Sequence, residues 1–435
     1  MFRHRARFSL LLCLVLAILL TANQTRSGSE KGSERPVKET IKGEIVRNET
    51  HVEPVPVESS LAKNADDDDD GDDDDDDDAV PRHLPDDGDT KILTTPKSVV
   101  APDADPSVKT ILIWTSFDRA KMWWYGFRHE FGHEVFRRHN CTHTNCNLIY
   151  DRSKLNEADF LMFYHEDPPE WPKIRYTWQS YIHIIKERPG PWHRWLKDYE
   201  PRINITMNYR YDSDIRFFNN GFHKRRNPLR NPYTAKWSLS RKGKSVVGMI
   251  SHCGADSKRD DYVAELSKHI DVDIYGSCGT MECPRGRDGT KQCMDRFQKQ
   301  YKFYLSFENA FCKDYVTEKL YRTLSYELVP IVLGAANYSR DAPPHSVIDV
   351  RDFDSPKALA GYLKHLSRNE DEYNSYFAWK QWYVLFNDQD CYCTVCDALN
   401  EPAVANKKAG GYYDWWFSGC DNDVIDRMKE KGGWL

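Results

Sequence analysis

The 435-residue chain contains neither a G-x-G-x-x-G fingerprint nor a G-x-x-x-x-G-K-[ST] loop. Dinucleotide redox chemistry and P-loop phosphate hydrolysis therefore lack their usual backbone cradle. No internal repeat with a period of about 20–50 residues is present, which sets solenoids and propellers aside. Acidic triplets occur at 212–214 (DSD) and 271–273 (DVD). Such triplets arise often by chance, and DVDIYG alternates as a strand with Asp271 and Asp273 on one face, so no metal is assigned to them. The net charge of −6 is also a poor guide to the folded part. Residues 1–106 hold 13 Lys/Arg and 24 Asp/Glu, which leaves 48 against 43, about +5, for the remainder. That balance mildly suits an anionic ligand. Aromatic residues make up 13% of the chain, with 13 Trp and 24 Tyr, a content that fits cores and carbohydrate-facing surfaces alike.

The N-terminus reads MFRHRAR and then an apolar run from Phe8 to Ala22. Basic residues before such a run are the pattern of a signal-anchor, with residues 1–7 as a cytoplasmic tail and 8–22 as the membrane helix. Fifteen helical residues cover roughly 22 Å, short for a bilayer but tolerable in a thin early-secretory membrane. A cleaved secretory signal is the rival reading. Residues 23–106 have no apolar period and contain Asp66–Asp70 and Asp72–Asp78. A run of that kind repels itself and builds no core, so the stretch reads as a disordered acidic luminal stem. A calcium-binding tract is the sharper alternative, but the run lacks the spaced carbonyl and glycine geometry of a tight site. Eleven of the twelve cysteines fall at Cys141 or later, and N-x-S/T acceptors stand at Asn23, Asn48, Asn140, Asn204 and Asn337. An oxidising lumen explains both features.

From Lys109 the pattern becomes α/β. KTILIW, CNLIY, ADFLMFY, SYIHII and INITMNY read as one strand series. KSVVGMIS, the helical DDYVAELSKHI, VDIYG, YKFYLSF, the helical TEKLYRTLSYEL, PIVLG and SVIDV read as a second. SPKALAGYLKHL and EDEYNSYFAWKQWY close it as helices. Two consecutive strand–helix series point to two doubly wound domains, with a boundary in the Pro-rich, basic stretch near 220–243. The densest chemistry lies in FENAFCKDYVTEKLYR, Phe307 to Arg322, a turn from strand to helix. Unpaired N–H groups and a positive dipole end gather at such turns. Thr317 is the expected cap, Lys319 suits a pyrophosphate, Glu318 suits sugar hydroxyls, and Tyr315 suits a ring or a phosphate. The plain alternative is a capped helix with Glu318 and Arg322 paired at i, i+4.

FENAFCKDYVTEKLYRTLSYELVPIVLG resembles the donor-site signature of the α1,3-fucosyltransferases, which runs FEN, DYVTEK, VPIVLG. PPHSVIDV, KHIDVDIYGSCG and YRYDSDI at 209–215 are similar to further segments of that family, and the likeness covers roughly residues 109–420. It implies a GT-B architecture, two Rossmann-like doubly wound domains facing a cleft. These would be an acceptor-binding domain at 107–230, a GDP-fucose-binding domain at 231–400 and a C-terminal extension at 401–435. It also implies a GDP-fucose donor and inversion at the fucose anomeric carbon. Carried over by position, Arg259, Asn309, Tyr315, Glu318 and Lys319 are donor-binding residues. Arg259 would neutralise diphosphate, and with Lys319 it would do a metal's work, so no cofactor is required and a divalent cation is at most stimulatory.

Inversion by single displacement also needs a general base. Glu187, with Pro189 after it, aligns with the family's candidate; a surface Glu paired with Lys186 or Arg188 is the plain alternative. His165, in FYHEDPP, stands at a strand end as an acceptor-side or structural histidine. Cys141 with Cys146, and Cys393 with Cys396, match family positions and are expected as local bridges, while Cys391 is an extra thiol, free or dimer-forming. YGSCGTMECPRG and YYDWWFSGC look closer to core-type invertebrate enzymes than to Lewis-type ones. The expectation is a type II Golgi membrane enzyme acting on a GlcNAc of an N-glycan or other glycoprotein, with no nucleic-acid partner. Lewis-type transfer, another nucleotide-sugar transferase and a non-catalytic glycan-binding relative are the competing readings.

Overall fold

The computed structural model describes residues 90–115, 130–164, 171–194, 196–217, 220–231, 233, 235–236, 238–386, 391–432 and 434. The expected tail, anchor and most of the stem lie outside these residues, as do Asn23, Asn48 and His165. Among the described residues no helix is long and apolar enough to cross a membrane.

The strands in chain order are β1 (Lys91–Leu93), β2 (Lys109–Ile113), β3 (Cys146–Ile149), β4 (Phe160–Tyr164), β5 (Ile174–Tyr176), β6 (Ser180–Ile184), β7 (Ile205–Asn208) and β8 (Ile215–Arg216). There follow β9 (Gly221–Lys224), β10 (Lys244–Met249), β11 (Val272–Tyr275), β12 (Tyr301–Phe307), β13 (Val329–Leu333), β14 (Ile348–Asp349) and β15 (Tyr383–Phe386). A six-stranded sheet in the order β3-β2-β4-β6-β7-β8 forms the first lobe, and a five-stranded sheet in the order β11-β10-β12-β13-β14 forms the second. Every pairing in both sheets is parallel. Parallel strands covered on both faces need unbroken apolar runs. FLMFY in β4 and VPIVL in β13 supply them, with every residue buried. The two series expected from sequence are thus the two sheets.

Four expectations are corrected. The stem does not extend to 106 as a disordered segment. β1 pairs in parallel with β5, Lys97 bonds Asp159 at 2.7 Å, and Asn156 donates to the Val100 carbonyl. Local composition hid these tertiary contacts. EDEYNSYFAWKQWY is also not one helix. A helix at Glu370–Ser375 gives way to a 3-10 turn at Ala378–Gln381 and then to β15, which pairs antiparallel with β9. Gly221 allows that pairing, since a Cβ there would meet the Phe386 ring at 2.4 Å.

The domain assignment at the C-terminus changes as well. The helix Cys391–Asn400, placed in the second domain from sequence, buries Cys391, Tyr392, Val395, Cys396 and Leu399 in the core of the first lobe. The chain returns afterwards, and Ile425 and Trp434 pack into the second. Finally, the bridges are long-range rather than local, Cys141–Cys393 and Cys146–Cys396, at separations of 252 and 250 residues. They bolt the returning helix to the first lobe. Among the described residues Cys253–Cys278, Cys283–Cys293 and Cys312–Cys420 are the further bridges, and Cys391 is buried in the core with its thiol outside any disulfide.

Candidate active site

In open parallel sheets, ligands bind beyond the carboxyl ends of the strands. The dense turn leaves the carboxyl end of β12, and Lys186–Glu187–Arg188 leaves that of β6. One apolar cluster joins the two regions. It contains Ile185, Tyr199 and Tyr209 from the first lobe, Ala310, Cys312 and Tyr315 from the second, and Tyr412 and Trp416 from the C-terminal segment. The C-terminal segment also splints the turn. Lys313 N–H donates to Gly419 O at 2.7 Å, Asp421 N–H donates to Phe311 O at 2.8 Å, and Cys312–Cys420 locks the pair.

Within the turn the residues divide by task. Glu308 is 1% exposed, and its carboxylate accepts from Thr317 N–H at 2.9 Å and from Thr317 Oγ1 at 2.9 and 3.0 Å. It therefore ties the strand end to the helix Glu318–Leu324. Burial pushes its carboxyl up, against the pull of Lys319. Gly334, which ends VPIVLG, leaves room for this arrangement, because a Cβ there would stand 2.6 Å from the Tyr338 hydroxyl and 3.3 Å from Glu308 Cγ. Thr317 caps the helix as expected, with extended backbone and a 3.4 Å contact from Lys319 N–H. Asp314 is held at φ 62°, a left-handed conformation that aspartate tolerates better than most residues. Its carboxylate accepts from Arg340 at 2.6 Å and from the Tyr211 N–H of the first lobe at 3.1 Å.

Lys319 Nζ lies 3.3 Å from Glu318 Oε1 and 3.8 Å from Glu308 Oε2. The Glu318–Arg322 pair is looser, at 4.0 Å. Half of the Glu318 side chain (48%) meets solvent. Surrounding protein atoms still work against its ionisation, but Lys319, Arg322 and Lys186 outweigh them and hold the carboxyl at about 2. Tyr315 is buried, and its hydroxyl donates to Glu187 Oε2 across the cleft at 3.1 Å. Burial, followed by the nearby carboxylates Glu187 and Glu308, keeps that phenol protonated far above its ordinary range. Lys186 stands in the field of Glu318 and Glu187; burial pulls its ammonium down and the two carboxylates oppose that pull.

Arg259 opens the helix Arg259–Ser267 and is 2% exposed. Its guanidinium donates to Phe307 O at 3.1 Å and His252 O at 2.8 Å, so it braces the loops beneath the donor side. Asn309 O accepts from Ser257 N–H at 2.9 Å. Arg259 Nε, Ser257 Oγ and Asn309 Oδ1 are buried without a hydrogen-bond partner.

The structure thus brings Glu187 against Tyr315 of the turn, in the same turn as Glu318 and Lys319, and sets Arg259 and Asn309 on the adjoining loops. Glu187 is exposed, and Arg188 bonds Asp256. Glu308, Lys186, Asp256 and Asp314 carried no assigned role from sequence. Glu308 and Asp314 stood within the dense stretch and were legible there, whereas Lys186 and Asp256 owe their importance to cross-lobe contacts. Among the glycosylation candidates, Asn140 and Asn337 are exposed. Asn204 differs from both. Its Oδ1 accepts from Tyr181 N–H at 2.9 Å and Arg175 at 2.8 Å, and its Nδ2 donates to Lys407 O at 3.1 Å, so its side chain is engaged within the fold.

Two parallel α/β lobes meeting at their strand ends, one with a cationic and hydroxyl-rich cradle and the other with a carboxylate, have the layout of a GT-B-like glycosyltransferase. Residues 106–219 match the family described as fucosyltransferase, N-terminal, and residues 239–415 match glycosyltransferase family 10 (fucosyltransferase) C-term. The chain belongs to this α1,3-fucosyltransferase family. It is 34% identical to alpha-(1,3)-fucosyltransferase C of Drosophila melanogaster, over 72% of this chain and 79% of that one. It is 33% identical to glycoprotein 3-alpha-L-fucosyltransferase A of the same organism, over 66% and 57%. Human alpha-(1,3)-fucosyltransferase 4 is 32% identical, over 63% and 59%. A crystal structure of an alpha1,3-fucosyltransferase with GDP-fucose aligns with a TM-score of 0.44 at 15% identity, over 70% of this chain and 92% of that one.

Proposed function

We propose that this chain transfers L-fucose from GDP-fucose in α1,3 linkage to a GlcNAc of a glycoprotein glycan, with inversion. The observation that carries this reading is the Glu187 carboxylate held by Tyr315 of the donor turn at 3.1 Å, beside the Glu318–Lys319 cradle. The acceptor 3-hydroxyl gives its proton to Glu187 as its oxygen attacks the fucose anomeric carbon. The bond from that carbon to the diphosphate oxygen breaks, and its electron pair leaves with GDP. Lys319 stabilises the charge that develops there, while Arg259 acts from beneath by shaping the loops. Asn309 and Glu318 hold donor hydroxyls. On this reading no metal is required.

The acceptor is proposed to be the core GlcNAc of N-glycans, and the enzyme a type II protein of the Golgi membrane. Transfer to an outer-arm GlcNAc is the second reading, supported by 35% identity to human 4-galactosyl-N-acetylglucosaminide 3-alpha-L-fucosyltransferase over 60% of this chain. The test is incubation with GDP-fucose, other nucleotide sugars and a panel of core and outer-arm acceptors, with EDTA present, followed by mass spectrometry. Fucosylated GlcNAc product is expected from GDP-fucose alone. Absence of product on every GlcNAc acceptor would refute the activity, and loss caused by EDTA would refute metal independence.

A further inference from the structure

We infer that Asp256 is a positioning residue through which the donor lobe sets the Glu187 carboxylate, an inference that rests on reading Glu187 as the base. Arg188, the next residue after Glu187, is 3% exposed, and its Nη1 donates to Asp256 Oδ2 at 2.6 Å. Asp256 belongs to the other lobe, on the loop between β10 and the helix Arg259–Ser267. It lies between buried Ala255 and buried Ser257, and Ser257 N–H bonds Asn309 O. That loop is therefore anchored in the donor floor. Two consecutive residues at the end of one lobe's strand are each gripped by the other lobe, Glu187 by Tyr315 at 3.1 Å and Arg188 by Asp256.

The charges give this grip between the lobes its strength. A guanidinium does not deprotonate in a protein, so Arg188 keeps its charge although buried. Asp256, on the donor-lobe loop, sets a carboxylate against it. Adjacent Cα atoms are about 3.8 Å apart, so a shift at Arg188 carries Glu187 with it. A misplacement of about 1 Å costs on the order of 100-fold in rate. A base gripped in this way is in register only when the donor loop is in place, which links donor-side order to acceptor activation.

The experiment compares Asp256→Asn, Asp256→Glu, Glu187→Gln and the double variant Glu187→Gln/Asp256→Asn, measuring fucosyl transfer and, by calorimetry, GDP affinity. GDP binding reports that each variant is folded. Asp256→Asn is expected to lower kcat about 10- to 100-fold with GDP affinity changed less than about threefold, and Asp256→Glu to recover most of the loss. Because Asp256 acts through Glu187, the double variant is expected to be no slower than Glu187→Gln alone. Normal kcat in Asp256→Asn, a loss of GDP affinity as large as the loss of kcat, or multiplicative losses in the double variant would each overturn the inference. Wild-type transfer by Glu187→Gln would instead refute the base reading, whatever the Asp256 variants do to GDP affinity.

Discussion

The two bridges of the first lobe make a quantitative prediction because they run side by side. Cys141–Cys393 and Cys146–Cys396 close loops of 252 and 250 residues. In the chain-entropy account, closing roughly 250 residues is worth about 5 kcal/mol. Once one bridge is present, however, the other closes only a ring of roughly ten residues, worth about 2.7 kcal/mol. Removing either bridge as a Cys-to-Ser pair should therefore cost about 3 kcal/mol, whereas removing both should cost about 8 kcal/mol. Urea unfolding of the two double variants and the quadruple variant under non-reducing conditions reads these values directly. Losses of about 5 kcal/mol for each bridge alone, or a quadruple variant no worse than either pair, would refute the reasoning.

Further outcomes follow from the site. Tyr315→Phe removes the hydroxyl held by Glu187, a bond to a charged group worth about 1.5–3 kcal/mol. Transfer should slow roughly 10- to 100-fold with GDP affinity retained, and an unchanged rate would contradict that role. Glu318 has a depressed folded value of about 2, so its contribution to stability is present above the unfolded carboxyl value of about 4.3 and is lost as pH falls toward 2. Glu318→Gln should flatten the loss of urea resistance between pH 5 and 2.5, and parallel losses in variant and wild type would count against the assignment. Glycopeptide mapping should find Asn140 and Asn337 occupied and Asn204 bare. Asn204→Ala should cost about 1–3 kcal/mol by leaving Tyr181 N–H and Arg175 without their acceptor.

Where the sequence was legible, the reason is local. The most apolar of the parallel strands declare themselves, as FLMFY and VPIVL do, and the donor turn packs its chemistry into sixteen consecutive residues. What was not legible depends on residues far apart. Cys141 finds Cys393 rather than Cys146 because the helix Cys391–Asn400 returns to the first lobe. Tyr383–Phe386 leaves a helical pattern because Gly221–Lys224 offers an edge to pair with. Asn204 looks like any sequon until Arg175, Tyr181 and Lys407 are seen to use its side chain. Asp256 carries no motif at all, and only the fold places it against the residue beside Glu187.

The central claim is that Glu187 takes the acceptor proton while the donor cradle stands on the other lobe. Single-turnover transfer from GDP-fucose by Glu187→Gln, set beside calorimetric GDP binding by the same variant, tests it most directly. The account predicts full GDP affinity and transfer reduced by at least about 100-fold, in line with the contribution of general base catalysis. Transfer at the wild-type rate in a variant that binds GDP normally would contradict it.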